Sequence, residues 1–157
     1  MTVKIIDRDK GWNKIAAMLK RTAVSAPHVK VGVLGPAATE ANAESGLTTV
    51  EVATYNEFGY GVPERSFIRE TFDMHRDDYQ KVLNNVADGI LANKFSLKVG
   101  LEAVGQKVQS DFQGRIETRS PPFKENAPST IARKGSSVPL INYGQLKNSI
   151  TYVTGDV

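Results

Sequence analysis

The chain has 157 residues, 40% hydrophobic and 24% charged, which suits one globular domain with a buried core. It has no cysteine, which excludes a disulfide framework, a thiolate metal site and a cysteine nucleophile. The formal charge of +3 is uneven: from Arg115 to Lys147 six basic residues meet two acidic ones, net +4, so the remainder sums to −1.

In chain order, "MTVKIIDRDKGW" has acidic residues and no apolar core, so no secretory leader is expected there, and every apolar run falls far short of the roughly 20 residues that cross a bilayer. Trp12, Ile15 and Leu19 recur at helical spacing, predicting an amphipathic helix over 10–22 within an N-terminal segment 1–24. A core of strand, loop and helical hairpin is expected over 28–117. Val29, Val31 and Val33 alternate with Lys30 and Gly32, a half-buried strand. "GPAATEANAESG" is small, polar and glycine-bounded, and predicts a mobile surface loop. "LTTVEVATYNEF" mixes β-branched residues with a helix stop at Gly59, and a short helix is preferred.

Beyond Pro63, Ile68, Phe72, Tyr79, Leu83, Val86 and Ile90 form one long helical stripe, with Ser66 as N-cap. Ser96 caps a second helix carrying Leu97, Leu101, Val104, Val108, Phe112 and Ile116, and the short connection makes the two antiparallel neighbours. Gly100 and Gly105 weaken that helix by about 1 kcal/mol each relative to alanine, which points to close packing there. From 118 to 138 the periodicity vanishes into Pro, Ser, Lys and Arg, predicting a long flexible basic arm. A helical turn and a final strand near 149–154 are expected within 139–157. The fold class is α+β.

The chemistry-bearing signals are weak. His28 and His75 are 47 residues apart, and His75 with Asp73, Asp77 and Asp78 reads as a solvated helix face rather than a metal site. "ARKGSS" lacks the upstream glycine of a phosphate loop, "VGVLG" lacks the dinucleotide glycine pattern, and no Gly-x-Ser-x-Gly elbow occurs. No catalytic, cofactor or metal residue is assigned.

Two stretches nevertheless carry a resemblance. "VATYNEFGYGVPERSFIRETFD" (Val52 to Asp73) and "APSTIARKGSSVPLINYGQLKNSITYV" (Ala127 to Val153) resemble, in order and across a two-helix spacer, the A-x-x-N-E-F-G … P-x-R-x-F-[IL]-R and S-x-x-T-[IL]-x-x-K … P-L-[IV]-x-[TS]-G-x-L-x-x-S-I elements of tailed-bacteriophage neck and tail-completion proteins. Ser66 stands where that family often has a second proline, and Tyr143 where it has threonine. The resemblance implies a non-enzymatic virion protein: a small sheet packed on a long helix or helical hairpin, assembled as a ring, often hexameric. Such a ring lies in the neck between the head-side connector or head-closure protein and the tail terminator or tail tube. It implies assembly in the host cytoplasm, with no cofactor and no membrane.

On that reading Glu57, Phe58, Gly59, Pro63, Glu64, Arg65, Phe67, Arg69, Pro139, Leu140, Tyr143, Gly144 and Leu146 are candidates for contact with a neighbouring copy or partner. Arg115, Arg119, Lys124, Arg133 and Lys134 are candidates to face the lumen and passing genomic DNA. Two other readings are a free DNA-binding accessory protein, using the basic 115–134 arm to neutralise phosphates without reading sequence, and a hydrolase, for which no nucleophile and base can be named.

Overall fold

The computed structural model describes residues 11–13, 16, 17, 20, 27–41, 46–141 and 144–155. The elements in order are β1 (His28–Val33), α1 (Pro36–Thr39), α2 (Thr49–Phe58), α3 (Arg69–Met74), α4 (Arg76–Leu91), α5 (Leu97–Thr118), α6 (Pro128–Lys134), α7 (Gln145–Ser149) and β2 (Ile150–Gly155). The chain is α+β: a two-stranded antiparallel sheet packed on the long helix α5. Most of the expected N-terminal helix, including Ile15 and Leu19, lies outside the described residues.

The alternating valines form β1 as expected. It pairs with β2 so that His28 lies opposite Gly155 and Val33 opposite Ile150. Helix α5 crosses this sheet where Gly105 removes a side chain. A Cβ there would lie 2.5 Å from the Tyr152 ring and 3.0 Å from Val29 Cγ2. Gly100 does the same for the hairpin, since its Cβ would lie 2.5 Å from Val86 Cγ1. Both glycines therefore trade helix propensity for close approach, as the sequence suggested. Ser96 caps α5 by accepting the Val99 N–H, and Val104, Val108, Phe112 and Ile116 form its buried stripe. Phe67, Ile116 and Ile150 are fully buried at the centre, each contributing about 1.5–3 kcal/mol by leaving water.

Three expectations need correction. The long helix after Pro63 is two helices, broken at His75, and α4 restarts with Asp77 and Asp78 in its first turn, where acidic side chains favour a helix N-terminus. Its inward face is Tyr79 and Gly89, buried, with Val82 and Val86 half-buried, while Phe72 and Leu83, expected in the buried stripe, are 44% and 43% exposed. The loop after β1 contains the single turn α1, which buries Ala38.

The third correction concerns the arm. Residues 118–138 hold the seven-residue helix α6, ended by Gly135 at φ 67°, and bury Phe123 in the core. Composition pointed to flexibility because the segment has few large apolar residues; it is instead fixed by side chains reaching in from elsewhere.

Candidate functional site

The stretch 56–70 is built around one helix end. Thr48 opens α2 with a capping box: its hydroxyl accepts the Glu51 N–H at 3.2 Å, while the Glu51 carboxylate accepts the Thr48 N–H at 2.8 Å. These bonds, the Thr48 backbone one foremost, hold the Glu51 carboxyl below the usual carboxylate range. The buried face of α2 is Thr49, Ala53 and Glu57, nearly without apolar bulk, which is why its sequence reads ambiguously. Gly59 ends the helix at φ 73°, and Gly61 follows at φ 68°. A Cβ on Gly59 would lie 3.0 Å from Glu64 Cβ, so the returning chain needs glycine there for space as well as conformation. The Arg65 N–H then bonds the Asn56 carbonyl at 2.7 Å and closes the turn.

Glu57, the penultimate residue of α2, is buried and caps the next helix. Its carboxylate accepts the N–H groups of Phe67, Ile68 and Arg69 at 2.9, 3.0 and 2.9 Å, the Ser66 hydroxyl at 2.7 Å and Arg69 Nε at 3.2 Å. The expected cap, Ser66, plays a supporting part: it donates to Glu57 and accepts the Glu70 N–H at 3.2 Å. Free N–H groups at a helix start favour a carboxylate on both hydrogen-bonding and dipole grounds.

Two arginines fasten the 119–126 connector. Arg65, 5% exposed, donates from Nε to the Lys124 carbonyl at 2.7 Å, from Nη2 to the Glu125 carbonyl at 2.8 Å and from Nη1 to Asn56 Oδ1 at 2.9 Å. Arg115, on the last turns of α5, donates to the Pro121 carbonyl at 2.6 Å and to Glu70 Oε2 at 2.7 Å, and stacks 3.8 Å from the Phe123 ring centroid. Among the described residues its Nε has no hydrogen-bond partner. Lys134 donates to the Val138 carbonyl at 2.7 Å; burial, and then the nearby Arg65 charge, push its ammonium below the ordinary lysine value.

These positions sort the candidate residues. Glu57, Arg65, Phe67 and Leu146 are at most 5% exposed and Pro139 is buried, so their surfaces face the core rather than a neighbour. Leu140, at φ 60°, and Gly144, at φ 72°, are half-buried, as is Gly59, and Tyr143 lies outside the described residues. Pro63, Glu64, Arg69 and Phe58 are exposed. Phe58 stacks on Tyr60 with centroids 5.8 Å apart, Arg69 covers Phe58 at 4.6 Å, and Arg69 pairs with Glu64 at 2.9 Å.

Of the five lumen candidates, Arg115 is buried and Lys134 half-buried, so neither offers a free cation to phosphate; Arg119, Lys124 and Arg133 are exposed. Sequence reasoning did not assign Tyr60 or Phe123 to this site, though the Phe123 aromatic inside a basic Pro/Ser segment was a usable signal for an anchor; Glu70, expected with Glu64 among the charges offered to a neighbour, instead pairs with the buried Arg115. His75 lies 3.8 Å from Asp78, and among the described residues no three metal-ligating side chains come together. No described helix is long and apolar enough to cross a membrane. No family model, curated protein or solved structure matches the chain.

Proposed function

We propose that this chain is a non-catalytic structural subunit of a tailed-bacteriophage neck, joining head to tail as a ring of identical copies. One observation carries the reading: the two stretches that resemble neck proteins, far apart in sequence, are tied into one region. Arg65 of the first stretch holds the carbonyls of Lys124 and Glu125, directly ahead of the second, and α2 packs against α7. The buried charged groups Glu57, Arg65 and Arg115 are spent on holding backbone, which suits a rigid scaffold. The Phe58, Tyr60, Glu64 and Arg69 patch remains on the surface, with aromatics, arginine and charges of both signs for a head-to-tail contact between copies. The ring's other contacts are then a head-closure or connector protein on one side and a tail terminator or tube protein on the other.

Electron microscopy of particles assembled by a phage lacking this protein tests the reading. Separated heads and tails are the expected outcome, and fully joined, infectious particles would end it.

A further inference from the structure

Among the described residues the sheet has two strands, and so two outer edges. The bond from the Leu34 N–H to the Ser149 carbonyl sets the phase of the ladder. By its alternation, residues 28, 30 and 32 exchange hydrogen bonds with 155, 153 and 151, and the main-chain groups of Val29, Val31 and Val33 point away from β2. On β2 the outward groups belong to Ile150, Tyr152 and Thr154. Those of Ile150 are used: its N–H bonds the Lys147 carbonyl, and its carbonyl accepts the Gln113 amide at 3.1 Å. Among the described residues nothing hydrogen-bonds the outward main-chain groups of Val29, Val31, Val33, Tyr152 and Thr154.

Proteins that stay monomeric guard such edges with charge, proline or a bulge. Strand β2, "ITYVTG", carries no charge and no proline, β1 carries only Lys30, and the register runs unbroken over six pairs. Beside β1 lies an apolar groove of about 600 Å³, floored by Val29, Val31, Val104 and Val108 and walled by the exposed Phe72 and Leu83.

We propose that the β1 edge receives the β2 edge of a second copy of this chain, continuing the sheet from copy to copy. Charge weighs against two β1 edges side by side, which would bring their Lys30 side chains near each other, and β2 carries no charge to oppose Lys30. Direction allows it, because β1 and β2 are antiparallel, so copies in the same orientation keep every strand antiparallel to the next. A longer sheet is also more stable than two strands alone, and the arrangement is heterologous, as a ring requires. The inference deepens the neck reading and rests on its head-to-tail assembly.

The absence of native cysteine makes the test direct. Val29 and Tyr152 face Gly105 of α5, so Lys30, Thr151 and Val153 point to the opposite face, where cysteine does not disturb the core. Full-length K30C is mixed with size-tagged T151C or V153C at millimolar protein and mildly oxidised. Mixed disulfide dimers are expected in at least one pairing, and K30C alone should give none. Like dimers only, or no linked dimer, would overturn the proposal. Thr154→Pro removes one outward N–H while Val153 and Gly155 keep their bonds to β1, and should cut the mixed yield about tenfold with an unchanged circular dichroism spectrum; an unchanged yield also overturns it. Rings in particles without the mixed cross-link would defeat this interface alone. The cross-link in a protein whose loss leaves particles intact would defeat the neck reading alone.

Discussion

The α4–α5 hairpin with its sheet and the turn-and-connector region, 56–70 with 119–126, are stabilised by opposite means. The hairpin is apolar and close-packed: Gly100 and Gly105 let Val86 and Tyr152 approach the α5 backbone, and Val104, Val108 and Ile116 fill the interior. In the connector region, buried charged side chains instead bond main-chain groups, Glu57 taking N–H groups and Arg65 and Arg115 taking carbonyls. Apolar packing tolerates small adjustments, but a buried charge that loses its partners, or whose partners lose it, is expensive. The two regions should therefore differ in how sharply single substitutions affect them.

The largest effect should come from Glu57→Ala. It strips three main-chain N–H groups at the start of α3 and the Ser66 hydroxyl of their acceptor, and a loss of about 3–5 kcal/mol is expected by urea unfolding. Glu57→Gln should lose less, because one amide oxygen still accepts. Next is Arg65→Ala, at about 2–3 kcal/mol, since three acceptors lose a charged donor. Arg65→Lys should recover little of it, because a single ammonium cannot reproduce the guanidinium fork. A cost below about 1 kcal/mol for both alanine variants would erase the contrast between the regions.

Within the hairpin the glycines sharpen the comparison by sign. Gly105→Ala should destabilise by about 1–2 kcal/mol, because its methyl meets the packed Tyr152 ring. Gly114→Ala, on the same helix with open space around its Cβ, should stabilise by about 0.5–1 kcal/mol through helix propensity. Thermal melts of the pair should move in opposite directions.

The smallest effect belongs to the exposed capping box. Glu51 is held below its ordinary pKa when folded, so its contribution is present above its unfolded pKa and is lost as pH falls through the folded one. The melting-point gap between the native chain and Glu51→Gln should hold at neutral pH and close in acid. A gap that widened as pH fell would contradict the capping role.

The same contrast governs what could be read from sequence. Apolar periodicity located β1, α5, β2 and the caps at Ser96 and Gly59, and the glycines in α5 marked close approach before any contact was visible. Side-chain bonds to distant main chain leave no period. Nothing in "TRSPPFKEN" announces that Arg65 and Arg115 hold its carbonyls, so the segment read as flexible, and both arginines were assigned to surfaces they do not occupy. The helix after Pro63 misled for a related reason: Phe72 and Leu83 extend the stripe in sequence, but the break at His75 turns them toward an open groove. Among the candidate residues, sequence found the turn at Gly59 and the exposed Glu64 and Arg69, but not the inward commitment of Glu57.

The central claim, that Arg65 rather than local composition orders the connector, is tested most directly by limited proteolysis at the two bonds whose carbonyls it holds. Trypsin at Lys124 and a glutamate-specific protease at Glu125 should leave the native chain intact there, while Arg65→Ala is cut at least about tenfold faster under conditions where both remain folded. Equal, rapid cleavage of both chains at 124–126 would contradict it.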